Sequence, residues 1–315
     1  MINQFNENLG LIILPTESCN LRCAYCYEDF ACGKMSQETV GRLKKFLSLR
    51  ARTTKSLSLS WFGGEPLLAQ DGVQCVSAHT ANLFGAKLHG SMTTNGTLLD
   101  ETACKTIVSC QVKHIQISLD GVGREHDLTR ISPSQKHGFD KIVENLRNLH
   151  RSTYDISVTL RLHMHKNRTS AIRQLVDFVT DEFSSDPRFS AFIKEIFGPV
   201  ARTEGKNTAS ENTTATTFHE ETTKLNTAFV SKPPMPVKEV CYAAMPNSFV
   251  IRSDGSISKC TVALKDKKNC IGYLKDNGTL DIDQSKFQFW IRGFASENKD
   301  ALRCPNARRH SAAVS

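Results

Sequence analysis

Strand-length apolar runs alternate with runs of helical period across the first 200 of the 315 residues, and this alternation constrains the fold most. Leu11–Pro15, Leu57–Phe62, Leu88–Thr94, Val112–Leu119, Ile156–His163 and Phe189–Phe197 read as strands. Ser36–Arg50, Leu67–Leu83, Leu99–Val108, Phe139–Leu149 and Ile172–Phe183 read as helices between them. In the first helix Ser36 is placed as N-cap, Glu38 sits in the first turn, and Val40, Leu43, Phe46 and Leu47 recur at helical spacing. Consecutive parallel strands need helical crossovers, so the order predicts an α/β fold. Six units are too few for a closed eight-fold barrel. They predict a partial (β/α)6 TIM-like barrel, with chemistry at the C-terminal ends of the strands.

The polar motifs fall at those ends. After the first strand comes Glu17-Ser18-Cys19-Asn20-Leu21-Arg22-Cys23-Ala24-Tyr25-Cys26-Tyr27, a C-x3-C-x2-C run. Soft thiolates suit iron, and Cys19, Cys23 and Cys26 can hold three corners of a cubane cluster. No fourth cysteine fits the spacing, which leaves one iron open to a substrate or cofactor. A zinc site is the rival, with Cys32 as fourth ligand. Disulfides are disfavoured by the odd count of eleven cysteines and the lack of a signal peptide. Gly63-Gly64-Glu65-Pro66 follows the second strand, Asn95-Gly96 the third, and Ser118-Leu119-Asp120-Gly121 closes the fourth. Alone, a Gly-Gly pair or an Asn-Gly pair reads as an ordinary turn.

Beyond the sixth strand the character changes. Ala201–Thr217 is rich in Thr, Ser, Asn and Glu and reads as a surface loop or linker. Phe218–Val230 reads as a helix broken by Ser231–Pro236. Phe249–Cys260 reads as a hairpin turning at Asp254-Gly255, with Cys241 before it, Cys260 closing it, and Cys270 and Cys304 after it. The expected organisation is a core over 1–200, a polar linker and helix over 201–236, and a small cysteine-bearing domain over 237–315. Cys75, Cys104 and Cys110 fall on helices and read as small apolar residues.

No apolar run approaches the roughly 20 residues that span a bilayer, so a membrane role is not expected. The net charge of +8 is spread along the chain, which disfavours nucleic-acid binding. Many cysteines without a secretion signal suggest a reducing cytoplasm.

These motifs together resemble the radical S-adenosylmethionine (SAM) enzymes, and the match covers nearly the whole chain. The cysteine loop with Tyr25, Gly63-Gly64-Glu65-Pro66 and Ser118-Leu119-Asp120-Gly121 carry the resemblance. His126-Asp127-Leu128-Thr129-Arg130 resembles the peptide-modifying and sulfatase-maturing branch, and the C-terminal part resembles a truncated SPASM or twitch domain. The resemblance implies a 4Fe-4S cluster on Cys19, Cys23 and Cys26, with SAM on its open iron. It implies reductive cleavage of SAM to a 5′-deoxyadenosyl radical that takes hydrogen from a substrate.

By the same resemblance Gly63 and Gly64 let backbone approach the SAM methionyl group, and Glu65 accepts from its ammonium. Asn95 reaches SAM or merely makes its turn, Ser118 contacts ribose or carboxylate, and Asp120 lies beside it. Arg161 pairs with the SAM carboxylate as a two-point donor, with Arg130 as rival and a structural ion pair as the plain alternative for each. Cys241, Cys260 and Cys304 are expected to hold one auxiliary iron–sulfur cluster, with Cys270 either a fourth ligand or a buried free thiol. Asp127, Glu195 and His163 are candidate bases by position only.

The expected substrate is a ribosomally made peptide, modified by crosslink, thioether or side-chain oxidation. The alternatives are a small metabolite, including group transfer from SAM, and a non-catalytic iron–sulfur or zinc protein, against which the Gly-Gly-Glu and Ser-Leu-Asp-Gly runs argue. An electron donor such as flavodoxin or ferredoxin is expected. The first strand begins near residue 10, which leaves no room before it for a peptide-recognition domain, so a separate recognition protein is a further expected partner.

Overall fold

The computed structural model describes residues 7–28, 30, 32–133, 138–165, 168–196, 211–229 and 240–307. Among these the strands are β1 (Asn8–Ile13), β2 (Arg22–Cys23), β3 (Ser56–Trp61), β4 (Leu88–Thr94), β5 (Val112–Leu119), β6 (Arg130–Ile131), β7 (Ser157–His165), β8 (Phe189–Ile196), β9 (Ser248–Ile251), β10 (Ser256–Ser258), β11 (Cys270–Leu274) and β12 (Leu280–Ile282). The helices Gln37–Arg50, Gln70–Phe84, Glu101–Ser109, Gly138–Arg151, Thr169–Phe183 and Glu211–Ala228 follow β1, β3, β4, β5, β7 and β8 in turn. The fold is α/β with a parallel core built from six strand–helix units, as the alternation requires.

The chain packs as two compact units, Met1–Ser18 with Tyr27–Ser91 and Val237–Ser315, and Cys19–Cys26 with Met92–Pro236. In the first, β1 runs parallel to β3 in the register Asn8↔Ser56 to Ile13↔Trp61. Leu9, Leu11, Ile13, Leu57, Leu59 and Trp61 alternate into the core. The ladder stops before Pro15, which has no N–H to donate, so β1 ends two residues earlier than the apolar run suggests. The other edge of β1 takes β9 in parallel, Gly10↔Ser248 to Ile13↔Ile251. β10, β11 and β12 then add antiparallel. The C-terminal hairpin thus starts as a strand of the same sheet, turning at Gly255 with φ +84°. Helix Gln37–Arg50 is capped by Ser36, whose hydroxyl accepts from Thr39 N, and buries Val40, Leu43, Phe46 and Leu47.

In the second unit the order is β4-β5-β7-β8. β5 pairs in parallel with β7, which pairs in parallel with β8. Nearly every residue of β7 is buried, as expected for a parallel strand covered on both faces. Helix Glu211–Ala228 takes in residues expected to form a loop. Thr217, Glu221, Leu225 and Phe229 form a buried stripe spaced by four. Arg173 of helix Thr169–Phe183 reaches Glu220 at 3.0 Å and Thr217 at 3.4 Å. The stripe is half polar and is held by ion pairs, so hydropathy alone conceals it. Residues 197–210 and 230–239, including the rest of the expected linker, lie outside the described residues.

Candidate active site

The cysteine loop leaves the first unit from a tightly held segment. Thr16 bridges Lys34, and Glu17 N donates to Gly33 O at 3.2 Å. The Glu17 carboxylate is fully buried and receives two hydrogen bonds from Arg252, at 2.8 and 2.5 Å. Gly63 and Gly64 lie against this segment. A Cβ on Gly63 would stand 2.4 Å from Thr16 O, and one on Gly64 would stand 2.3 Å from Ser18 O. Gly63 also has φ +109°. Both glycines are therefore required by backbone-to-backbone approach. Glu65 N donates to Ser18 O at 2.9 Å, while the fully buried Glu65 carboxylate caps Leu67 N at 3.1 Å.

Within the second unit the loop itself is clamped. β2 pairs antiparallel with β6, placing Cys23 opposite Arg130. Ala24 N donates to Thr129 O at 2.8 Å. The run 126–130 thus leads into a two-residue ladder, Arg130–Ile131 against Arg22–Cys23. Asn95 Nδ2 lies 3.8 Å from Cys19 Sγ and donates to Asn20 Oδ1 at 2.8 Å, while its Oδ1 accepts from Thr97. Asn95 therefore both makes its turn and touches a cysteine sulfur.

A buried network stands behind Cys23. The Tyr25 hydroxyl donates to Asp120 Oδ1 at 2.9 Å and accepts from Arg130 Nη1 at 3.0 Å. His163 Nδ1 lies 3.0 Å from that hydroxyl and 3.1 Å from Asp120 Oδ1. Thr129 donates to Asp120 Oδ2 at 2.7 Å, with His165 Nε2 at 3.5 Å. Burial alone would raise the Asp120 carboxyl. Hydrogen bonds from His163 and His165, with the Arg130 charge, hold it well below the carboxylate range. Burial raises the Cys23 thiol, with Arg130 opposing, and pushes the Tyr25 phenol far up. Burial and the Arg130 charge push His126 down to about 3, and its neutral Nδ1 accepts from Asp120 N.

Asp120 and Arg130 are thus occupied with each other and with Tyr25. Ser118 and Arg161 are direct neighbours across β5 and β7. Among the described residues His126 Nε2, His163 Nε2 and His165 Nδ1 are buried without a hydrogen-bond partner. Thr129, His165 and Arg252 were not singled out as site residues by the sequence motifs. The signal for His165 is a second histidine two residues after His163, on the same face of an apolar strand.

Four late cysteines divide in two. Cys260 and Cys304 lie close enough to Cys241 for their charges to add to the effect of burial in raising its thiol. Cys241 N donates to Leu302 O at 2.8 Å, which holds Cys241 against the segment that leads into Cys304. Asn269 binds both Cys260 N and Cys260 O, at 2.9 and 2.8 Å. Cys270 points elsewhere, against the Tyr273 hydroxyl. Cys32 faces Asp254 and Glu17, and burial with these carboxylates raises its thiol to about 11. Among the described residues no three His, Cys, Asp or Glu side chains are gathered to clasp a single metal ion. A cluster spreads its thiolates over separate irons, and an all-thiolate donor set suits it.

The family profile described as the Radical SAM superfamily matches residues 13–179, and this chain belongs to that superfamily. A radical SAM enzyme takes a 4Fe-4S cluster and SAM, and the donor chemistry of Cys19, Cys23 and Cys26 fits the cluster. The chain is 28% identical over 199 residues to the cysteine-type anaerobic sulfatase-maturating enzyme of Clostridium novyi (strain NT), covering 59% of this chain and 51% of that relative. It is 32% identical over 143 residues to the GTP 3′,8-cyclase of Nitrobacter winogradskyi, covering 43% and 41%. It therefore spans about half the length, or less, of the curated relatives it matches. Its fold is similar to that of native anSMEcpe with bound AdoMet and Cp18Cys peptide, with TM-score 0.64, 21% identity, and coverage of 89% and 80%. Among the described residues no helix is long and apolar enough to cross a membrane.

Proposed function

We propose that this chain cleaves SAM reductively and directs the resulting radical at a ribosomally made peptide, forming a crosslink or thioether or oxidising a side chain. The observation that carries the reading is the three-cysteine loop held by the Cys23–Arg130 ladder and the Tyr25–Asp120 network. A relative named for sulfatase maturation, and a neighbour of like fold solved with a peptide, support a peptide substrate. When bound, the cluster and SAM supply the 5′-deoxyadenosyl radical that removes hydrogen.

The chain's own residues do the rest. Cys19, Cys23 and Cys26 hold the cluster. Arg130 places a fixed positive charge opposite Cys23, and Asn95 offers a donor to the Cys19 sulfur. Asp120 acts through Tyr25 and Arg130, as a positioning group. Gly63 and Gly64 shape the backbone for the SAM methionyl group, Glu65 accepts from its ammonium, and Ser118 and Arg161 serve its ribose and carboxylate. The unpartnered imidazole nitrogens of His126, His163 and His165 are polar groups left for a polar substrate. Residues 1–200 act as catalytic core, 201–236 as connection, and 237–315 as a reduced auxiliary domain in which Cys241, Cys260 and Cys304 hold one further cluster. A low-potential flavodoxin or ferredoxin in a reducing cytoplasm supplies the electron.

The test is anaerobic incubation of the reduced enzyme with SAM and short peptides encoded beside its gene, read by mass spectrometry. A peptide that loses hydrogen in step with deoxyadenosine release supports the proposal. Turnover of a small metabolite, with every peptide unchanged, would establish the alternative that the cyclase relative favours.

A further inference from the structure

Within the first compact unit, helices Gln37–Arg50 and Gln70–Phe84 and the turn between β11 and β12 frame a groove with a volume of about 520 Å³. The first helix lines it along a stripe from Gly41 to Leu49, the second through His79 and the turn through Asn277. Its walls are tied together. His79 Nε2 lies 2.9 Å from Ser48 Oγ and 3.0 Å from Lys44 O, which joins the two helices. The turn is seated on the first helix: a Cβ on Gly278 would stand 2.6 Å from Phe46 N, and Lys45 Nζ donates to Asp276 O at 2.8 Å.

The polar groups of this groove are donors. Lys44 Nζ has Cys75 Sγ at 3.9 Å and Lys45 Nζ has a backbone carbonyl, and among the described residues neither lysine pairs with a carboxylate. The neighbouring carboxylates of Glu38 and Asp276 are both held by Arg42, at 2.6 and 2.7 Å. Asn277 Oδ1 accepts from Thr279 N and Oγ1, which leaves the Asn277 amide N–H groups to donate. The rest is apolar. Leu49 is 39% exposed, and lysine stems add aliphatic surface. Gly41 lies inside the helix, where glycine is destabilising relative to alanine, yet a Cβ there would meet nothing within 4 Å. Packing does not require this glycine, and its effect is to keep the groove open.

Lysines without counter-charges fit carboxylates, and an exposed leucine beside open space fits an apolar side chain. Gly41 to Leu49 spans about 12 Å of helix, the length of roughly four extended residues. Lys45, Leu49 and Asn277 are exposed, so an occupant keeps one side in water. A chain lying along the groove does so, whereas a small ligand is usually engulfed. We propose that this groove docks an acidic segment of the peptide substrate, with carboxylates on Lys44, Lys45 and Asn277 and an apolar side chain over Gly41 against Leu49. The occupant rests on the peptide reading above.

The test uses the anaerobically reconstituted full chain and a fluorescein-labelled peptide, Glu-Leu-Glu-Glu-Leu-Glu, read by fluorescence anisotropy. The same peptide with Gln for every Glu is the comparison. The acidic peptide should bind saturably, and the Gln peptide roughly tenfold more weakly, as expected for a few exposed ion pairs. Lys44→Glu with Lys45→Glu should weaken the acidic peptide by at least that factor. Gly41→Leu keeps both charges, improves the helix and fills the groove, and it should weaken binding as well. Release of 5′-deoxyadenosine should match the wild type in each variant, because none of these residues belongs to the cluster or SAM machinery. Absence of saturable binding, equal binding of the Gln peptide, or wild-type affinity in whichever variant folds overturns the groove and leaves the peptide reading standing. Turnover of a small metabolite with every peptide unchanged removes the peptide reading instead, and this occupant with it.

Discussion

Cys23 stands opposite Arg130 across a two-residue ladder, and the Arg130 guanidinium reaches the Tyr25 hydroxyl at 3.0 Å. The proposed cluster ligand Cys23 is thereby tied to a buried cation through backbone, and that cation to Asp120 through Tyr25.

Asp120→Asn should expose how much this tie matters. It leaves Arg130, 7% exposed, without its carboxylate, 3.9 Å away in the folded protein. Removing one partner of a buried pair costs about 3–5 kcal/mol. Urea unfolding of the iron-free protein should show a loss of that size, and reconstituted protein should hold less iron. Wild-type stability in the variant would mean that the network is dispensable.

The pH dependence should follow His126. Its imidazole stays neutral in the folded protein, since burial lowers it from 6.5 to about 3. The unfolded chain takes up this proton first, so stability is full above pH 6.5 and falls as pH drops from there toward 3. His126→Asn, whose amide oxygen can accept from Asp120 N, should flatten that part of the urea-stability profile of the iron-free protein. A slope unchanged by the substitution would assign the dependence to other groups.

Gly64→Ala sets a methyl group against the Ser18 carbonyl, with backbone on both sides of the clash. Overpacking of this kind costs about 1–3 kcal/mol. The expected outcome is a lower melting temperature together with reduced iron uptake, since Ser18 directly precedes Cys19. A stable variant with full iron content would show that the segment yields without moving the loop.

Arg252→Met strands the fully buried Glu17 carboxylate and should cost about 3–5 kcal/mol. Adding Glu17→Gln should recover a large part of the loss, and a double-mutant cycle reads the coupling directly. Additive losses would mean that the pair is not coupled.

The sequence carried the strand–helix order and the motif positions because both are local: periodicity reveals β5 and β7, and Cys19, Cys23 and Cys26 announce their own chemistry. It did not carry the partners. That Asp120 is spent on Tyr25, Arg130, Thr129 and two histidines depends on a network of contacts up to 138 positions apart, as from Tyr25 to His163. The Glu17–Arg252 pair spans 235 positions. The buried stripe Thr217–Glu221–Leu225–Phe229 escaped because two of its four members are polar. Along the chain Cys270 could be a fourth ligand or a buried free thiol, and its contact with Tyr273 on the same strand could not be read from spacing.

The proposed chemistry requires that Cys19, Cys23 and Cys26 hold a cluster that cleaves SAM. The direct measurement is 5′-deoxyadenosine released by anaerobically reconstituted, reduced protein given SAM, compared with Cys23→Ala and Cys260→Ala. Release is expected from the wild type and from Cys260→Ala, and none from Cys23→Ala. No release by the wild type, or equal release by Cys23→Ala, would contradict that chemistry.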